Sequence, residues 1–111
     1  MRATVERHDD ISILNLTGRL TAGEPAVLLR DRVGELLNHG ARRIVLNLKS
    51  VPWVDSGGIG ELVACQKRAA RAGGEIRLIN VHGRVYELLR LVRLVDYFQI
   101  YRKGTMVLGS F

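Results

Sequence analysis

Arg43-Ile44-Val45-Leu46-Asn47-Leu48 is a near-continuous apolar run, and after the turn Lys49-Ser50-Val51-Pro52-Trp53-Val54 the pattern changes to a helical one. A run with so little alternation suits a central strand covered by helices. In the helical stretch Ile59, Leu62, Val63, Ala69 and Ala70 share one face, Glu61, Lys67, Arg68 and Arg71 fall mostly on the other, and Gly73-Gly74 stops it. Strand followed by helix is the unit of an α/β fold, and the chain repeats it outward from this point.

Downstream, Glu75 to Ile79 reads as a short strand, Val85, Leu88, Leu89, Val92 and Val95 mark a third helix, and Tyr97 to Tyr101 returns to strand. Upstream, Thr4 to Arg7 and Ile11 to Leu16 are strand-like and flank the turn residues His8-Asp9-Asp10, which predicts an opening hairpin. Between them and residue 43, Ala26, Leu29, Val33, Leu36 and Leu37 recur on one helical face, closed by Asn38-His39-Gly40. Thr21 and Glu24 have capping-box spacing, while Pro25 favours the first helical position. The order predicts an α/β domain with a mixed, mostly parallel sheet, an antiparallel N-terminal hairpin and three to four helices. With 111 residues and no linker or repeat, residues 1–111 form a single domain in this reading, with Lys103 to Phe111 a short C-terminal tail.

Composition narrows the function. Hydrophobic residues at 47% and charged residues at 25% are the balance of a folded globular protein. A single cysteine, Cys65, allows no internal disulfide, no export signal is visible at the start, and the expected location is cytoplasmic. The apolar runs are broken well before the roughly 20 residues needed to cross a bilayer, so no membrane span is expected. The net charge is +6, but the basic residues are scattered without an aromatic stacking platform, which argues for solvated helix faces and against direct nucleic-acid binding.

The chemistry concentrates in Val54-Asp55-Ser56-Gly57-Gly58-Ile59-Gly60, at the entrance of the second helix. Loops beyond the carboxyl ends of strands in open α/β sheets are where ligands and partners are met. Asp55 or Ser56 would cap the helix by accepting its unpaired amides. A cap alone does not call for glycine at Gly57, Gly58 and Gly60, since each costs about 0.8–1 kcal/mol relative to alanine inside a helix. Close approach of a partner to a bare backbone would account for them. A phosphate on Ser56 would add about 1.5–2 negative charges beside Asp55 and Glu61 and block an interface without unfolding the domain.

Together with Gly18-Arg19-Leu20-Thr21, Arg43 to Leu48, Arg71 to Asn80 and Val85-Tyr86-Glu87-Leu88-Leu89, this stretch resembles the STAS-domain anti-sigma factor antagonists of bacteria over nearly the whole chain. The resemblance implies partner switching. The unphosphorylated antagonist binds an anti-sigma factor with serine kinase activity, so that sigma factor is released; phosphorylation ends binding and a PP2C-type phosphatase resets it. By the family pattern Ser56 is the phosphate acceptor, with Trp53, Asp55, Ser56, Gly57, Gly58, Ile59 and Glu61 expected at the partner interface. Many relatives carry serine or alanine where Gly57 stands, a departure that leaves the acceptor intact. Arg93 stands where the family usually has a glycine, which is expected to shift the third helix's end by a residue or two.

Asp-Ser-Gly-Gly at 55–58 is similar to a serine-protease nucleophile segment, but His8, His39 and His82 offer no oriented base on this α/β chain. Gly58-Ile59-Gly60 lacks the sixth-position glycine of a dinucleotide fingerprint, as Val63 stands there. No catalytic residue, cofactor or metal is expected. Trp53 reads equally as partner anchor or core residue, Leu28 as an exposed contact, Cys65 as small packing, and Gln66, on the apolar stripe, needs a hydrogen-bond partner if buried. A scaffold that is never phosphorylated, a module binding a nucleotide or anionic lipid, and a weak homodimer remain open.

Overall fold

The computed structural model describes residues 1–101, so the tail assigned to Lys103–Phe111 lies outside the described residues. The elements follow in the order β1 (Arg2–His8), β2 (Ile11–Thr17), α1 (Glu24–Asn38), β3 (Arg43–Ser50), α2 (Ser56–Arg71), β4 (Glu75–Ile79), α3 (Gly83–Leu91) and β5 (Gln99–Tyr101). They form one five-stranded sheet in the order β1-β2-β3-β4-β5, in which β1 and β2 are antiparallel and every later pair is parallel. The α/β class, the antiparallel opening and the parallel remainder are as the hydrophobic pattern predicts.

The main core lies between one sheet face and the helices. Leu14, Leu16, Ile44, Leu46, Leu48, Ile76 and Leu78 from the strands meet Leu29, Val33 and Leu36 of α1, Leu62, Cys65 and Ala69 of α2, and Val85 and Leu89 of α3. The other face holds a smaller cluster of Ile11, Ile13, Val45 and Ile79, packed with Tyr101. Among the described residues, the helices that the apolar run of β3 predicts cover one of its faces. Ile44, Leu46 and Leu48 point to the helices, while Arg43, Val45 and Asn47 alternate to the opposite face. That face is crossed by a chain of amides: Asn80 donates to Asn47, Asn47 to Asn15, and Asn15 to Glu6, at 2.9, 2.8 and 3.0 Å.

Several boundaries differ from the sequence reading for local reasons. α1 begins at Glu24 behind Gly23, which has no side chain to cap with; the Thr21 carbonyl accepts a backbone bond from Ala26 instead, so the capping box does not form. α3 ends at Leu91, short of Val95, because Arg93 turns the chain with φ 62°. β5 is only three residues long, since Phe98 is drawn into the core, its ring edge-on to Tyr97. Where β5 no longer reaches, Gln66 stands in for a neighbouring strand: its amide donates to the Ile76 carbonyl at 2.9 Å and accepts from the Ile76 amide at 2.8 Å. That is the partner its place on the apolar stripe required.

Candidate functional site

Beyond the end of β2 the backbone keeps company with the loop after β3. Gly18 donates to Ser50, Leu20 donates to Trp53, and Asp55 donates back to Leu20, with Leu20 and Val54 paired as an isolated parallel bridge. The segment 18–22 is thus an extension of the sheet that fixes the loop leading into α2. At its end Asp55 joins both pieces: its carboxylate accepts the α2 amide of Gly58 at 2.8 Å and the Ala22 amide at 3.1 and 3.2 Å. These amides, Gly58 first and Ala22 next, hold the Asp55 carboxyl below its ordinary value.

Asp55 is therefore the N-cap, and Ser56, the first residue of α2, is exposed and not needed for capping. Its neighbours on the helix face four residues on are Gly60, then Ala64 after it, both exposed. Gly57 and Gly58 do something other than admit a partner. A Cβ on Gly57 would stand 2.5 Å from the Ala22 Cβ, and one on Gly58 would run into the Leu20 carbonyl oxygen and lie 2.8 Å from a Val54 methyl carbon. These two glycines let the 20–22 segment lie against the helix start; only Gly60 faces open space. Their expected role in close partner approach is corrected accordingly, and the Gly57 departure is matched by Ala22 in the space a larger side chain would fill.

Glu61 is the second correction. The sequence pattern puts it on the polar face, beside the serine, yet its side chain is 5% exposed and turned between α1 and α2. Arg30 of α1 donates to one of its oxygens through Nε and Nη2 at 3.0 and 2.9 Å, and Arg68 to the other at 2.8 Å. The Cys65 thiol donates to that second oxygen at 3.4 Å, and burial first, then the Glu61 carboxylate, pushes this thiol up to about 12. Gly58 is buried too, and Ile59 packs partly against the core. Of the residues expected at an interface, the structure brings Trp53, Asp55, Ser56 and Gly57 to the surface or its edge and turns Gly58 and Glu61 inward.

Trp53 is 36% exposed and carries the Arg84 guanidinium 5.3 Å from its ring centroid, so it is neither a core residue nor a bare anchor. A shallow groove runs beside it along α3, lined by Val54, Arg84, Glu87, Leu88 and Leu91. Leu28 lies half-buried beside Met1, Pro25 and Val27. What the sequence reading missed is that residues 20–22 lie against the start of the serine's helix; the signal was Gly18-Arg19-Leu20-Thr21, whose connection to the serine loop appears only in three dimensions.

Fold and site together define a small α/β domain with one mixed sheet, helices on one face, and an exposed serine at a tightly built helix entrance. The chain belongs to the STAS domain family, whose model matches residues 2–104. It is 30% identical over 99 residues to an anti-sigma-B factor antagonist of Bacillus subtilis (strain 168), covering 89% of this chain and 88% of that protein. It is 26% identical over 101 residues to an anti-sigma F factor antagonist of Paenibacillus polymyxa, covering 91% and 86%. A Thermotoga maritima protein of known crystal structure superposes with a TM-score of 0.89 at 29% identity, over 96% of this chain and 92% of that one. No described helix is long and apolar enough to cross a membrane.

Proposed function

We propose that this STAS domain is a cytoplasmic anti-sigma factor antagonist, controlled by phosphorylation of Ser56. Unphosphorylated, it binds an anti-sigma factor that is also a serine kinase and so frees a sigma factor; phosphorylated, it lets go, until a PP2C-type phosphatase restores the hydroxyl. The observation that carries this reading is the division of labour at the helix entrance. Asp55 does the capping, which leaves the Ser56 hydroxyl exposed at the first position of α2. The antagonist names of the curated relatives support the same partner class.

A phosphate there would bring about 1.5–2 negative charges and three acceptor oxygens to the exposed start of α2, where Gly60 is also exposed. The amide end of α2 offsets part of that charge within the domain, so the fold survives while an interface is lost. Capture of the kinase on immobilised protein, followed by incubation with ATP and mass spectrometry, tests the acceptor: label is expected at Ser56 and absent from Ser56→Ala. Undiminished label in that variant overturns the assignment. Calorimetry should show Ser56→Asp folded but weakened in binding; equal affinity for variant and parent refutes the switch.

A further inference from the structure

Among the described residues β1 is one of the two outer strands of the sheet, and all of its residues except Ala3 are exposed. Its pairing with β2 closes through a two-residue turn that makes His8 and Ile11 the last pair. In such a turn the closing residues exchange both backbone bonds, so Arg2, Thr4, Glu6 and His8 address β2 while Ala3, Val5 and Arg7 turn their N–H and C=O groups outward. Val5 is 45% exposed although its side chain points to the helix side, next to Leu36 of α1.

We propose that this edge is a self-association surface, on which a second copy of the chain adds its own β1 antiparallel about a twofold axis at Thr4. Charges on edge strands usually keep sheets apart, but here their spacing selects one register. Centred on Thr4, Arg2 of each copy faces Glu6 of the other, and Ala3 faces Val5. Centred on Val5, Arg2 would face His8, and centred on Glu6 two carboxylates would meet. In the Thr4 register each Ala3–Val5 pair exchanges both N–H···O bonds, while the Arg2–Glu6 pairs fall at the positions whose side chains approach most closely. The Glu6 carboxylate is already held on that face by Asn15 at 3.0 Å and His8 at 3.3 Å, and Arg2 has no ion pair among the described residues. A twofold axis normal to the sheet puts both α1 helices on the same side of the seam, where they cover Val5. Ser56 belongs to α2 and takes no part, so the two surfaces can be tested apart.

Sedimentation velocity from micromolar to millimolar protein at moderate salt reads the association. A dimer is expected at the upper end of the range. Arg2→Glu or Glu6→Arg alone should weaken it by about tenfold or more, and the double swap should restore it. Val5→Pro removes one outward N–H, a substitution edge strands tolerate, and should abolish the dimer while circular dichroism stays that of the parent. Hydrogen exchange at high concentration should protect the Ala3 and Val5 amides and leave Thr4 unchanged. A monomer throughout the range, a dimer indifferent to Val5→Pro, or protection elsewhere than at Ala3 and Val5 would overturn the proposal. Should a double swap that keeps the parent's fold fail to restore the dimer, the register is wrong.

Discussion

Gly57, Gly58 and Gly60 stand within one helical turn yet meet different surroundings, and single substitutions separate them. Gly58→Ala pushes a methyl into the Leu20 carbonyl and Val54, and should destabilise the fold by about 1–3 kcal/mol in urea titration. Gly60→Ala meets nothing and should stabilise it by about 0.8–1 kcal/mol through helix propensity. Asp55 supplies a second test at this scale. A carboxyl whose pKa falls on folding contributes stability that is present above its unfolded value, about 3.9, and lost as pH drops through the lower folded value. Asp55→Ala should therefore lower Tm by several degrees at neutral pH, and the gap from the parent should close below about pH 4. A gap that stays constant with pH would mean that the carboxylate charge is not what binds Ala22 and Gly58.

At the scale of elements, the three helices among the described residues end in the same way. The residue after each C-cap has positive φ, namely Gly40 at 95°, Gly73 at 82° and Arg93 at 62°, and the next amide reaches back to Leu36, Ala69 and Leu89 respectively. Arg93 occupies the glycine's conformation instead of displacing the turn, so Arg93→Gly should stabilise the domain by about 1 kcal/mol, seen as a higher Tm. The α1–α2 contact rests in part on Glu61, where burial is only supportable because Arg30, Arg68 and Cys65 fill the carboxylate's acceptor sites. Glu61→Gln keeps the volume and loses the charge-assisted bonds. With Arg30 half exposed, the cost should be about 1–2 kcal/mol by chemical denaturation, with no change in the proposed labelling of Ser56.

For the molecule as a whole, Cys65 reports on global opening. Its thiol is fully buried between α1 and α2 and held up to about 12, so iodoacetamide at pH 8 should label the native protein negligibly and the denatured protein completely. Labelling as fast in the native state as in the denatured one would contradict the packing described. The fold was legible because its signals are local and periodic: the apolar stripe of 26–37, the bounds of Glu75–Ile79 and the turn at 9–10 need no knowledge of distant residues. The exposed Ser56 on a helix entrance was legible for the same reason, as was the need of Gln66 for a partner. Glu61 was not, because a helical wheel sorts residues by polarity and cannot see Arg30 arriving from another helix to neutralise a carboxylate inside. Nor was the purpose of Gly57 and Gly58, since the atoms that exclude a side chain belong to residues 20–22 and 54. By itself the sequence determined the class, the order of elements and the hydroxyl on offer, all of which follow from short-range periodicity and chain stereochemistry. Only the tertiary structure decided which neighbours of that hydroxyl face solvent and which face the protein, because that depends on contacts between segments some 30 residues apart.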